Sequence, residues 1–190
     1  MKKNIFFIIA VVLVLSLGIL SFYGSIKGVA SLHTLYLEYK YPLKYNEELL
    51  KYSAEFSLDA DMVSAVIYEE SRFRPDSSSN KGAVGLMQLL PNTAEYIAGK
   101  IKGQRFDSRK LNDPEKNIKY GCYYLSYLFK KYGDWDKTLA AYNAGEGNVD
   151  RWLAEGDYQV KFEETRNFVD RVKSSREMYK NYIFLKNNKS

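Results

Sequence analysis

One glutamate has the clearest chemical potential in this sequence. A helix is predicted from an N-cap at Asp59 through Glu70. At about 100° per residue, Glu70 falls in the middle of the helix's apolar stripe, whereas Glu69 falls at its edge. A carboxylate on a buried face loses hydration, which raises its pKa and allows it to act as a general acid near neutral pH. The apolar stripe consists of Met62, Val63, Val66 and Ile67.

The same position allows a simpler interpretation. Glu70 lies at the predicted end of the helix, where its side chain could reach solvent or pair with Arg72 or Arg74. Structural ion pairs are as consistent with the periodicity as a catalytic acid is. The spacing alone leaves both interpretations open.

The scarcity of Cys and His excludes several other chemistries. The chain has one of each, Cys122 and His33, whereas a zinc site needs three or four ligands from Cys, His and carboxylates. A single Cys cannot form an internal disulfide, and Cys122 on an apolar helical stripe is interpreted as a small buried hydrophobe. Carboxylates, hydroxyls, amides and aromatic rings must therefore supply any chemistry.

Four short motifs follow one another around and beyond the glutamate. A Ser- and Gly-rich loop over 77–85 separates the first motif from the second. In this order, the motifs resemble the catalytic domain of the soluble lytic transglycosylase family, glycosidases with a lysozyme-like fold that cleave peptidoglycan. The resemblance extends over about 42–185. The motifs are Glu-Ser at 70–71, Gly-Leu-Met-Gln at 85–88, Ala-Tyr-Asn-Ala-Gly at 141–145 and Glu-Thr-Arg-Asn-Phe-Val at 164–169.

The resemblance implies a role for each matching position. Glu70 matches the family's single catalytic acid and base, and Ser79 matches a serine that contacts the acetamido group of the substrate. Gln88 and Tyr142 match cleft residues that hold the sugar and orient the reacting centre, and Asn143 also lines the cleft.

Two further positions complete the implied cleft. Glu164 matches a carboxylate at the cleft floor. Leu90 stands where the family often has Met, a change between apolar residues of similar size that we expect to alter only the shape of the wall.

The reaction that the resemblance implies is cleavage of the bond between N-acetylmuramic acid and N-acetylglucosamine without water, which leaves a 1,6-anhydro end. This reaction requires no metal or organic cofactor, in agreement with the lack of metal-ligand clusters in the sequence. A lysozyme-type hydrolase on the same fold is one alternative. A catalytically idle wall-binding module is another, but it would predict the loss of Glu70 or Gln88, and both are present.

The elements that position these residues are predicted to be helical, and the fold class is all-α. No convincing alternating strand pattern occurs. Besides the helix after Asp59, the predicted helices are one opening at Pro91, one between Asp113-Pro114 and Gly133, one between Asp134 and Gly145, and two over 149–153 and 163–185.

Several aromatic side chains are interpreted as packing groups. Tyr123, Tyr124 and Tyr127 are spaced as on a helix, which favours packing over sugar binding. Trp135 and Trp152 lie in or beside short helices and are expected to anchor the core.

The N-terminal segment predicts a membrane anchor. Residues 5–23 carry no charge, and nineteen helical residues span roughly 28 Å, close to the thickness of the hydrocarbon core. A cleaved signal peptide usually has a shorter apolar stretch, so a retained helix is favoured. Lys2 and Lys3 predict a cytoplasmic N-terminus and an extracellular remainder. The expected parts are the tip and anchor at 1–26, a stem at 27–41, the catalytic domain at 42–185 and a tail at 186–190.

The charge balance does not identify a partner by itself. The chain carries a formal +5 with a pI near 9.0, but it has no Arg-rich run and no nucleic-acid motif. The resemblance implies peptidoglycan glycan strands as a partner, and the N-terminal segment predicts the membrane as another. Nucleic acid is not expected, and the sequence identifies no protein partner.

Overall fold

The computed structural model describes residues 35–101, 106–156 and 158–187, with nine further residues between positions 12 and 32. The chain divides into two compact units, Met1–Lys40 and Tyr41–Ser190. The described residues of the first unit are all helical. Within the described part of the chain, no helix is long and apolar enough to cross a bilayer. Most of the apolar segment at 5–23 lies outside the described residues, so the anchor stays a prediction.

The second unit is helical, and the described residues contain no strand beyond two isolated bridges, between Ser78 and Val84 and between Val84 and Leu89. The all-α prediction is confirmed. The elements are α1 (Asn46–Glu55), α2 (Ala60–Ser71), α3 (Pro91–Lys100), a 3₁₀ turn (Ser108–Lys110), α4 (Pro114–Tyr132), α5 (Trp135–Ala144), α6 (Glu146–Ala154) and α7 (Glu163–Asn187).

Side-chain caps fix two of these helices as the sequence predicted. Asp113 accepts a hydrogen bond from the backbone N–H of Lys116 at 2.9 Å, and Asp134 accepts one from that of Lys137 at 2.9 Å. Each bond satisfies a donor that the first turn of a helix leaves unpaired. Gly133 ends α4 in the left-handed conformation, at φ 65°.

Asp59 departs from this pattern. It lies in an extended conformation at the N-cap of α2, but its carboxylate caps no backbone N–H. It instead accepts a hydrogen bond from Arg176 of α7 at 2.7 Å, and Asp61 accepts a second one from the same guanidinium at 2.9 Å. The start of α2 is therefore attached to α7 and is not capped by its own side chain.

One helix was not predicted from the sequence, and another is longer than predicted. Helix α1 has no side-chain cap, since its N-cap residue is Tyr45, and it buries only Leu49, Tyr52 and Ser53. Helix α6 begins at Glu146 instead of 149, because Gly145, at φ 87°, ends α5 and starts α6 with no loop between them.

Helix α2 lies at the centre of the unit. The predicted stripe residues Met62, Val63, Val66 and Ile67 are all buried, but Ser64 and Ala65 between them are buried as well. The middle of α2 is therefore enclosed on every side, mainly by α7. Because the helix is buried all round, the side chains of its last turn, including Glu70, lie close to the interior.

The 72–90 loop between α2 and α3 is held by one buried amide. Asn117 of α4 donates from Nδ2 to the carbonyl oxygens of Val84, at 2.9 Å, and Leu111, at 2.8 Å. Its Oδ1 accepts the backbone N–H of Met87 at 2.7 Å. The side chain is fully buried and has a partner for each amide hydrogen and for its oxygen.

Gly85 allows this amide to approach the loop. Its φ of 85° lies in the left-handed region, and a Cβ added there would lie 2.2 Å from Nδ2 of Asn117. No larger residue fits without displacing the amide. The Gly of the Gly-Leu-Met-Gln motif is thus explained by packing.

Replacement of Asn117 by Ala should destabilise the protein by about 3 kcal/mol, because it leaves the N–H of Met87 and the carbonyl of Leu111 without this partner and removes one of the two donors to the carbonyl of Val84. Urea denaturation measures the change. Asn92→Ala, at an exposed position of α3, is the control and should shift stability by less than about 0.5 kcal/mol. Equal stability of the Asn117 variant and the parent would contradict the role of the amide.

Candidate active site

A cleft made of three adjoining cavities runs past the end of α2. We call them the acid end (about 490 Å³), the middle chamber (about 370 Å³) and the aromatic chamber (about 390 Å³). Glu70 lines the acid end and the middle chamber, whereas Gln88 lines all three. The middle chamber shares Tyr142, Asn143 and Glu164 with the aromatic chamber. The cleft is therefore continuous, and its two ends differ in character.

Glu70 is desolvated and unpaired. It lies in the last turn of α2, partly exposed to the cleft, and it forms no hydrogen bond or ion pair with the described residues. Burial raises its pKa to about 8, with smaller contributions from Arg171, which lowers the pKa, and from Glu69, which raises it. At neutral pH the carboxyl is therefore mostly protonated and can donate a proton.

Neither arginine named in the simpler interpretation pairs with Glu70. Arg72 forms an ion pair with Glu69 at 3.3 Å, and its guanidinium stacks over the ring of Tyr68 at 3.9 Å. Arg74 lines the acid end and donates from Nε to the backbone carbonyl of Ser71 at 3.1 Å. The structure therefore favours a desolvated Glu70 over a Glu70 that forms an ion pair.

The neighbouring Glu69 is fully engaged. Its side chain is only 4% exposed, and it accepts hydrogen bonds from Arg72 (3.3 Å), from Arg171 (3.2 Å) and from the hydroxyl of Ser175 (2.6 Å). Arg171 and Ser175 belong to α7. Glu69 therefore attaches the last turn of α2 to α7, and its negative charge is compensated beside the acid.

Gln88 combines strained backbone with a fixed side chain. Its φ is 47°, in the left-handed region that non-glycine residues rarely adopt. Its Nε2 donates to the carbonyl oxygens of Ser77, at 3.0 Å, and Gly85, at 2.9 Å. No described residue donates to its side-chain carbonyl, which is therefore the group that a ligand in the cleft can use.

Tyr142 and Asn143, near the end of α5, line the middle and aromatic chambers. The hydroxyl of Tyr142 donates to the carbonyl of Met87 at 2.7 Å, and burial raises its pKa well above the usual value, so the phenol stays neutral. Oδ1 of Asn143 accepts the hydroxyl of Thr165 at 2.8 Å. Both side chains are thus held in place before any ligand binds.

Ser79 lines the acid end and the middle chamber together with Glu70. Its Oγ accepts the backbone N–H of Ala83 at 3.1 Å, and its own N–H donates to the carbonyl of Ala83 at 3.0 Å. These bonds close the tip of the loop, and the serine hydroxyl hydrogen remains as a donor for a ligand.

Glu164 lies at the rim of the cleft and not at its floor, where the sequence analysis expected it. Its side chain is 75% exposed, and it pairs with Lys81 at 3.6 Å. It occupies the first turn of α7, where a carboxylate is stabilised by the helix dipole while remaining in water. Both residues line the middle and aromatic chambers.

Two aromatic residues of the cleft were not recognised from the sequence. Tyr124, interpreted as a packing residue, lines the aromatic chamber, with its ring centre 5.6 Å from that of Tyr142. Phe162 lines the same chamber. Tyr123 does pack, edge-on against Phe56 at 5.6 Å. Helical spacing does not identify Tyr124 as a cleft residue, because Tyr123 and Tyr124 both pack against the hydrophobic cluster around Tyr120 and the spacing does not indicate where a cavity opens.

The remaining chemical groups give no further candidate. Cys122 is completely buried, and burial raises the pKa of its thiol, so it is inert as predicted. In the ranges that the structure describes, no group of three or more His, Cys, Asp and Glu side chains is placed to hold a metal ion.

The fold is that of lysozyme-like domains. The chain superposes on the crystal structure of the 70 kDa soluble lytic transglycosylase of Escherichia coli with a TM-score of 0.72 and 32% identity, covering 77% of this chain and 26% of that one. An inactive Glu-to-Gln mutant of the lytic transglycosylase Slt from Pseudomonas aeruginosa gives a TM-score of 0.72 and 30% identity, over 77% and 25% of the two chains.

The chain belongs to the transglycosylase SLT domain family, whose profile matches residues 48–165. It is 33% identical to the soluble lytic murein transglycosylase of Escherichia coli K12, over 72% of this chain and 23% of the relative. It is 34% identical to the membrane-bound lytic murein transglycosylase C of Haemophilus influenzae PittGG, over 56% and 32%. The chain thus matches between about a quarter and a third of the length of these relatives.

Replacement of Glu70 by Gln should stabilise the protein. The folded protein holds the Glu70 proton up to a pKa of about 8, whereas the unfolded chain releases it near 4.5. Stability therefore falls as the pH rises through this interval, and the neutral Gln avoids the loss. We expect a gain of about 2–3 kcal/mol at pH 7 and none at pH 4, measured by urea denaturation. Glu95→Gln on exposed α3 is the control, and a pH-independent difference would contradict the raised pKa.

Proposed function

We propose that this protein is a peptidoglycan lytic transglycosylase that cleaves the β-1,4 bond between N-acetylmuramic acid and N-acetylglucosamine and leaves a 1,6-anhydromuramic end. The observation that carries the proposal is Glu70, a desolvated and unpaired carboxyl at the side of a continuous cleft. Membership of the SLT family and the names of the relatives support the substrate and the reaction.

One carboxyl group supplies both proton transfers in this reaction. Glu70, protonated, donates its proton to the glycosidic oxygen as the bond from that oxygen to C1 breaks. The 2-acetamido group of the muramic acid stabilises the positive charge at C1. Glu70, now a carboxylate, takes the proton from the 6-hydroxyl of the same sugar, whose oxygen bonds to C1. A pKa of about 8 suits both steps, since acid and base forms are accessible near neutral pH.

The other cleft residues bind and orient the sugar. Ser79 offers a hydroxyl to the acetamido group from the acid end, and Gln88 offers its side-chain carbonyl from the middle of the cleft. Tyr142 and Asn143 form the facing wall. A sugar held by both walls excludes water from C1, which favours the intramolecular attack by the 6-hydroxyl over hydrolysis.

The neighbouring carboxylates give little support to a mechanism with two carboxylates, which most glycosidases use. Both carboxylate oxygens of Glu69 already accept hydrogen bonds from three side chains, and Glu164 is exposed and paired with Lys81. Asp76 lines the acid end but is exposed. The Pseudomonas relative, described as inactive after one Glu-to-Gln change, is consistent with a single essential glutamate.

Mass spectrometry of digested peptidoglycan tests the reaction. The protein should release muropeptides one water lighter than lysozyme products. Glu70→Gln should lower the rate by at least about 10³-fold, since it removes the only proton donor, while Glu95→Gln remains active. Asp76→Asn should keep most of the activity. Hydrated, reducing products would instead indicate a hydrolase. Loss of activity in the Asp76 variant would indicate a second essential carboxylate.

The activity should decline at alkaline pH. Because Glu70 must begin protonated, kcat/KM falls as the pH rises through its pKa of about 8 and then drops about tenfold per unit. A pH–rate profile on purified glycan strands checks this limb. An alkaline limb near pH 5, where an ordinary carboxyl titrates, would contradict the assignment.

We further propose that residues 1–26 anchor the protein in the cell membrane as a single helix. The N-terminus is then cytoplasmic, a stem at 27–41 follows, and the catalytic domain at 42–185 faces the cell wall. The uncharged segment at 5–23 and the basic residues before it support this arrangement. The similarity to a relative named membrane-bound agrees with it.

Cell fractionation tests the anchor. The full-length protein should stay with membranes after high-salt washing and leave them only with detergent, since apolar burial is insensitive to salt. A variant that begins at Lys27 is the control and should not sediment with membranes. Release of the wild-type protein with a shortened N-terminus would indicate a cleaved signal peptide instead.

A further inference from the structure

Phe162 is an exposed aromatic residue in the wall of the aromatic chamber. Its side chain is 47% exposed, and it shares the chamber with the partly buried rings of Tyr124 and Tyr142. The acid end, by contrast, is lined by charged and hydroxyl side chains. The two ends of the cleft therefore offer different surfaces to a glycan strand.

The ring of Phe162 is held from behind. Trp152 of α6, only 4% exposed, packs edge to face with it, with ring centres 5.1 Å apart and planes at 83°. Such pairs are favourable arrangements of two aromatic quadrupoles. Phe162 is thus supported by the core and still presents aromatic surface to solvent.

The backbone of Phe162 is fixed as well. Its carbonyl accepts the N–H of Arg166 at 3.0 Å, the first hydrogen bond of α7. The guanidinium of Arg166 donates to the carbonyl oxygens of Val160, at 2.6 Å, and Lys161, at 3.1 Å. An aromatic surface that is held in place in this way binds with little loss of conformational entropy.

The chamber also supplies polar groups around this aromatic surface. Asn143 and Asn148 line it, with Asn148 donating to the carbonyl of Ala144 at 2.7 Å, and the Lys81–Glu164 pair lies at its rim. A pyranose ring has an apolar face and a polar edge, and a pocket with an aromatic surface and a few placed amides complements both.

The chamber is continuous with the part of the cleft that contains Glu70, but Glu70 does not line it. We propose that Phe162 is the platform of a distal glycan subsite, which binds an N-acetylhexosamine ring beyond the two sugars joined by the bond to be cleaved. This inference rests on the proposed function, because it takes the occupant of the cleft to be a β-1,4-linked glycan strand.

Substitution of Phe162 should affect long substrates selectively. For Phe162→Ala, kcat/KM on long peptide-free glycan strands should fall about tenfold. On the N-acetylmuramyl-N-acetylglucosamine disaccharide, which has no sugar beyond the two joined by the bond to be cleaved, it should fall less than about twofold. Phe162→Tyr should retain the activity on long strands. Tyr96→Ala, at an equally exposed tyrosine that lines none of the three cavities, is the matched control and should leave both values unchanged.

A comparison of Phe162→Leu with Phe162→Tyr guards against a folding defect. Leu keeps an apolar contact for Trp152 without an aromatic face, so it should fold and still lose the long-strand advantage. Equal losses on both substrate lengths, or no loss on either, would overturn the subsite.

A binding measurement separates the subsite from the chemistry. The chain has two tryptophans, so a Trp135→Phe, Glu70→Gln variant leaves Trp152 as the single reporter behind Phe162. Its fluorescence should change when the hexamer of N-acetylglucosamine binds, and adding Phe162→Leu should weaken binding about tenfold. If Phe162→Leu weakens binding but the wild type gives no 1,6-anhydro products, the subsite is supported and the proposed reaction is rejected. If the wild type gives these products but Phe162→Leu binds the hexamer as tightly as its parent, the reaction is supported and the subsite is rejected.

Discussion

The enclosure of helix α2 is the constraint on which the rest of the structure depends. Its middle turns are buried on every side, so its last turn carries Glu70 into a desolvated position that raises the pKa. The helix must be held rigidly for this to matter. Helix α7 does so at both ends, through Arg176 on Asp59 at the start and through Arg171 and Ser175 on Glu69 at the finish. Ion pairs thus hold the helix, and the one carboxyl of α2 left out of them is that of Glu70.

The second support is the buried amide of Asn117, which connects α4 to the loop that forms one wall of the cleft. It explains why Gly85 and Gln88 occur together. Gly85 lets the loop approach the amide, and Gln88 then takes a left-handed conformation, with its side-chain nitrogen bonded back to Gly85. Backbone strain of this kind persists where surrounding contacts over-determine it. Here Asn117 of α4 binds the N–H of Met87, and Tyr142 of α5 binds its carbonyl.

The sequence predicted the helices that carry local signals and missed what depends on tertiary contacts. Asp113 and Asp134 cap as expected, whereas α1 has no capping side chain and went unnoticed. The desolvation of Glu70 was predicted from an apolar stripe on one face of α2. In the structure the middle of α2 is buried all round, so the stripe explains only part of this desolvation. The exposure of Glu164 depends on where α7 begins relative to the loop carrying Lys81, and no pattern within either segment encodes that relation.

The distribution of charge in the cleft bears on why the proposed reaction uses a single carboxyl. A carboxylate placed to stabilise C1 would also have to be unpaired and close to Glu70, and its charge would raise the pKa of Glu70 further, which would hinder the later base step. Here Glu69 is compensated by two arginines, and Arg171 lowers the pKa of Glu70 by its charge. The protein therefore keeps one carboxyl near the balance between acid and base. In the proposed reaction the positive charge at C1 is left to the substrate's own acetamido group, and Ser79 lines the same chamber as Glu70.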